Sequence, residues 1–115
     1  MKDGIIFERC FVTLIAQLAA EKFRNHTDFA TIAFSDRESP IGTWRTMRNG
    51  ANGKYRNITI TDAYIMAKTV GYDLDELFWR VRMEIKNGWD INTQDIRVLN
   101  QGVPGRPTRR KEASI

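Results

Sequence analysis

At 115 residues with a formal net charge of +4, the chain is sized for one domain, and 42% hydrophobic with 10% aromatic content is a globular composition. One cysteine and one histidine exclude an internal disulfide framework and any multi-cysteine or His/Cys metal cluster. No run of about 18 apolar residues is present for a membrane span, and the start MKDGIIFERC lacks the apolar core and cleavage site of a signal peptide; the expectation is a cytoplasmic protein with no membrane contact.

Apolar residues at helical spacing organise the chain. Phe7, Cys10, Phe11, Leu14, Leu18 and Ala19 return every three or four residues, which predicts a helix over about 5–23. A short second helix is expected over 28–34, capped by Thr27, with Phe29, Ile32 and Ala33 inward. After the polar linker 35–38, Ser39-Pro40 starts a third helix that Gly50 stops. Its inward residues are Trp44 and Met47, three apart. Residues 50–59, with two glycines and two asparagines, read as a loop. Thr61-Asp62 opens a fourth helix with Ala63, Met66, Ala67 and Val70 on one face, closed by Gly71. Asp73 opens a fifth, with Glu76 completing a capping box and Leu74, Leu77, Phe78, Val81 and Ile85 as its buried stripe. Gly88 ends it. Residues 89–101 are expected to form an apolar extension, the candidate dimer contact, and 102–115 a basic flexible tail without the composition to pack a core. The fold class is all-α: a helical domain over 1–88, then the extension and tail.

Charge is concentrated. Residues 1–36 carry −1, residues 37–56 carry +4, residues 57–100 carry −2 and residues 101–115 carry +3. Catalytic patterns are missing from the sequence. His26 lies at a helix boundary, as a cap or interface residue, and Cys10 lies on an apolar helix face as a small buried hydrophobe. Asp73, Asp75 and Glu76 are explained by a helix start, without calcium-loop spacing. No glycine-rich phosphate loop follows a strand. The chain is therefore expected to be no enzyme, with no catalytic residue, metal, cofactor or small-molecule substrate.

Two short helices joined by a turn, the second with one anchored and one free face, are the arrangement that enters the DNA major groove. Trp44 and Met47 supply the anchor. Ile41, Gly42, Arg45 and Thr46 supply the base-reading face, since arginine pairs with guanine and a methyl group meets that of thymine. Arg37, Asn49, Asn52, Lys54 and Arg56 suit phosphate contacts, which position rather than read.

From these residues onward the chain resembles a known family. Phe29-Ala30 is similar to a Leu-Ala pair in the first motif helix of the Cro/repressor-like (lambda repressor-like) helix-turn-helix domains. The run from Trp44 to Gly50 is similar to the end of their recognition helix. The run from Ala67 to Phe78 resembles their junction between fourth and fifth helices. The resemblance covers about 27–78 and implies a five-helix DNA-binding bundle. It also implies a homodimer on partly symmetric double-stranded DNA and transcription regulation for phage or prophage genes. That places the protein on the nucleoid when bound. The chain departs from the pattern in a longer segment between the motif helices, with Phe34 near the family's usual glycine, and in Arg48 where an acidic residue is frequent. Two alternatives stand beside this reading. One is an antitoxin-like adaptor that binds a protein through 89–100. The other is an RNA-binding module that uses Trp44, Tyr55 and the tail.

Overall fold

A computed structural model describes residues 2–51 and 54–89. Five helices follow one another: α1 (Lys2–Lys22), α2 (His26–Ala33), α3 (Pro40–Arg48), α4 (Ile60–Val70) and α5 (Leu74–Lys86). No β-sheet is present among the described residues; one isolated antiparallel pair joins Ala51 and Lys54. The result is an all-α bundle in which α1 packs against each of the other four helices. None of these helices is long and apolar enough to cross a membrane.

The helix starts differ from the sequence expectation in an instructive way. Asn25, not Thr27, caps α2: its backbone is extended and its Oδ1 accepts from the Asp28 amide at 2.8 Å. The helix thus begins at His26. Thr59, not Thr61, caps α4 through a complete capping box. The Asp62 amide donates to Thr59 Oγ1 at 3.0 Å, and the Thr59 amide donates to Asp62 Oδ2 at 3.2 Å. The box expected at Asp73 does not form, for Asp73 occupies the cap position without a side-chain cap hydrogen bond. Ser39 behaves likewise ahead of α3, leaving Pro40 as the local start signal.

Periodicity placed the core more faithfully than the caps. Cys10, Phe11, Leu14, Leu18 and Ala19 of α1 are buried, joined by Val12 and Ile15, so the buried stripe is wider than expected. Ala63, Met66, Ala67 and Val70 of α4 are buried, as are Leu77 and Val81 of α5; Leu74, Phe78 and Ile85 pack partly buried against them. On α2 the inward face is Phe29, Ala30 and Ala33, whereas Ile32 is exposed. At 100° per residue, Ala30 and Ile32 lie on opposite flanks of the Phe29–Ala33 direction, and only the Ala30 flank is covered. Phe29 is the hub of this region. It meets Trp44, Phe23 and Phe34 edge-on, with ring centroids 4.9, 5.7 and 6.4 Å away. Trp89, assigned to the extension, instead joins the core: Gly88 turns the chain at φ 111°, and the Trp89 amide donates to the Glu84 carbonyl at 2.9 Å. The rest of the extension and the tail lie outside the described residues.

Candidate nucleic-acid interface

The lengthened connector between α2 and α3 is fastened at three points. Phe34, the C-cap of α2, is fully buried and accepts from the Arg37 amide at 2.9 Å through its carbonyl. The Arg37 guanidinium lies 5.3 Å from the Phe34 ring centroid and donates through Nη2 to Asp62 Oδ1. Asp62 is the buried acid of the α4 capping box, so one carboxylate serves both the start of α4 and the path into α3. Burial pushes the Asp62 carboxyl upward, but the hydrogen bonds from Arg37 and Thr59, with the Arg37 charge, hold it below the usual range. Arg37, expected at phosphate, is thus engaged inside the fold.

The expected division of α3 into two faces is present. Trp44 is 1% exposed and Met47 fully buried. Thr43 is also buried, a core contact that the period-three reading omitted. Opposite them, Ile41 is 43% exposed and Arg45 is exposed. Gly42 and Thr46 lie between the faces. The Thr46 Oγ1 sits 3.0 Å from both the Gly42 and the Thr43 carbonyls. The hydroxyl proton is thus engaged by its own helix, which leaves the oxygen lone pairs and the methyl group for an outside partner.

The α3 C-terminus turns sharply. Asn49 is the C-cap, and Gly50 follows at φ 80°, where an added Cβ would meet the Lys54 carbonyl oxygen at 2.8 Å. The Ala51 amide donates to Lys54 O at 2.7 Å and the Lys54 amide to Ala51 O at 3.0 Å. Amides of Gly50 and Arg56 both donate to Thr46 O at 3.1 Å. The exposed side chains of Asn49, Lys54 and Arg56 therefore belong to a loop folded back onto the end of α3. Asn52 lies outside the described residues. Arg48 is half-buried with its guanidinium 5.5 Å from the Trp44 ring centroid. Burial, with the neighbouring Arg45 charge, makes its cationic form less favourable than usual.

Two contributors escaped the sequence reading. Glu8 and Arg9 of α1 hold the loop from behind: Glu8 Oε2 accepts from the Ile58 amide at 2.8 Å, and Arg9 Nη1 donates to Met47 O at 2.8 Å. Arg9 is 6% exposed, and Tyr55 covers its guanidinium at 3.9 Å. Burial lowers its pKa, with the Glu8 and Tyr55 charges acting in opposition. The available signal was its position three before Val12, in line with a buried row. His26 is the first residue of α2, at the expected helix boundary. Its Nδ1 accepts from Trp44 Nε1 at 3.0 Å, which joins the start of α2 to the anchor of α3.

Other chemistry-bearing residues have internal settings. Burial and the Glu84 charge push the Cys10 thiol up to about 12, far from a reactive thiolate. Among the described residues no group of three or more His, Cys, Asp and Glu side chains gathers as a metal site. An open apolar groove between α1, α4 and α5 is floored by Phe7, Phe11, Ala63 and Phe78. No family model, no curated protein and no solved structure matches this chain.

Proposed function

We propose that this chain is a sequence-specific double-stranded DNA-binding protein of the repressor-like helix-turn-helix type. It would act as a homodimeric transcriptional regulator of phage or prophage kind, without enzymatic activity or cofactor. The observation that carries this reading is the two-faced α3. Its Trp44–Met47 side is locked in the core, while Ile41 and Arg45 stand exposed, and a cationic loop folds back onto its end. A helix with its side chains is about 10–12 Å across, which a major groove about 12 Å wide admits.

Arg45 is assigned to a base edge, with Ile41, Gly42 and the Thr46 methyl group as apolar contacts. Asn49, Asn52, Lys54 and Arg56 are assigned to phosphates. Arg37 supports this surface from inside, through Asp62, more than it contacts the duplex. The RNA alternative calls on Trp44, Tyr55 and the tail; Tyr55 is 47% exposed, whereas the Trp44 ring, 1% exposed, has no face to offer a base. The adaptor alternative loses Trp89 from its contact segment, because that side chain is part of the core.

Selection from random duplexes at several salt concentrations tests the proposal. Arg45→Ala is expected to relax base preference at one position, a loss of about 1–3 kcal/mol of discrimination. Lys54→Ala is expected to weaken all duplexes alike. Reversing the charges of Arg45, Arg48, Lys54 and Arg56 together is expected to abolish binding, with circular dichroism to verify that the helices persist. Retained low-salt affinity in that folded variant sinks the proposal.

A further inference from the structure

We propose that His26 is a positioning residue for the duplex-reading helix, and that its protonation releases the anchor of α3 and weakens binding in mildly acidic solution. The last step rests on the DNA reading; the release itself does not.

The argument starts from the indole. Trp44 Nε1–H is a donor only, on a side chain 1% exposed, and its acceptor is His26 Nδ1 at 3.0 Å. Accepting there requires a lone pair on Nδ1, so the ring proton of neutral His26 resides on Nε2. Imidazolium carries protons on both nitrogens. Protonation therefore sets one N–H against another and strands a buried donor. The same event places a cation close to a second one, because Arg48 stacks over the Trp44 ring at 5.5 Å and already disfavours charge on His26. Burial acts in the same direction and is the larger cause.

The surroundings of the imidazole fit this sense. From α3 the charged neighbour is Arg48. On its own segment, Arg24 and Asp28 lie within 3.8 Å of each other in an exposed pair. Neither α1 nor α4 contributes a charged group that shifts it among the described residues. Nothing in this set compensates an imidazolium. The contact matters because α3 has few inward anchors. Its N-cap serine makes no side-chain cap bond, and Trp44 with Met47 and Thr43 is what the helix buries. A change at the indole is thus transmitted to the helix that carries Arg45.

Two measurements on the full chain decide it. The first follows the Trp44 indole N–H by NMR from pH 8 to pH 5 without DNA, assigned by its loss in Trp44→Phe. In the native chain this resonance is expected to move with a midpoint below the ordinary histidine value. In His26→Asn, whose amide oxygen stands where Nδ1 did and does not titrate, it is expected to stay put. A static native resonance, or the same movement in His26→Asn, overturns the proposal. The second is duplex affinity over the same range. The native chain is expected to lose on the order of tenfold more affinity on acidification than His26→Asn or Trp44→Phe. Parallel curves overturn the coupling to binding. Absence of duplex binding at every pH overturns the DNA reading instead, while the indole titration still judges the release.

Discussion

Two buried carboxyl groups and one half-buried imidazole give the domain opposing responses to pH. Glu84 is 2% exposed, its Oε1 has no hydrogen-bond partner, and burial raises its pKa against the attraction of Arg80. A raised folded-state value means stability that is present below the unfolded pKa and lost as pH rises through the folded one. Glu84→Met removes the penalty and keeps the length of the side chain. We expect it to stabilise the protein by about 1 kcal/mol at pH 7. The gain should shrink at pH 4, as read from urea midpoints at both pH values. Asp62 has the reverse sign. Its folded value is depressed, so its contribution is present above the unfolded pKa and is lost as pH falls through the folded one. His26, lowered by burial and Arg48, also loses stability on the acid side, starting nearer neutrality.

At the level of elements, α4 and the connector into α3 share a fastening. Asp62→Asn keeps the size of the side chain but weakens both the Arg37 pair and the capping box. It is expected to cost roughly 2 kcal/mol at pH 7 in thermal or urea unfolding, against about 1 kcal/mol for Thr59→Ala, which removes the cap alone. Equal losses would mean that Arg37 adds nothing. These elements also separate what the sequence discloses from what it withholds. The buried faces of α1, α4 and α5 are repeated patterns, each position reinforced by its neighbours, so the period alone locates them. A cap is a single side chain with competitors nearby. Asn25 wins over Thr27, and Thr59 over Thr61, because each sits where the backbone is already extended. The D-L-D-E run at Asp73 has a capping box's spelling without its side-chain bond. The partners of Arg9, Glu8 and His26 were less legible still, since they lie 38, 50 and 18 residues away and no local pattern announces them.

Across the whole molecule, charge is distributed so that the duplex-facing proposal has a quantitative consequence. The window 37–56 carries a net charge equal to that of the entire chain, +4, and Arg37 within it is neutralised by Asp62. Arg45, Arg48, Lys54 and Arg56 remain as its other cations. The two of them assigned to phosphates, Lys54 and Arg56, correspond to a slope of about −1.8 in log affinity against log salt. A titration of duplex binding between low and moderate salt is expected to reach at least that steepness, and any contribution from the basic tail would add to it. A slope near zero would leave the cationic loop without its assigned role.

The grip of α1 on the far side of this surface has a consequence for synthesis. Helices α2 and α3 pack as near neighbours in the chain and are complete once Arg48 is present. Tyr55 and Ile58, which Arg9 and Glu8 hold, come later. A nascent chain ending between them would own α3 but lack the loop that folds back onto its end. Long-range closure of this kind is delayed relative to local pairing, because it must first overcome the entropy of the intervening segment. The cationic surface would thus mature only after about half of the protein had been made, with the first helix waiting for its last polar partners.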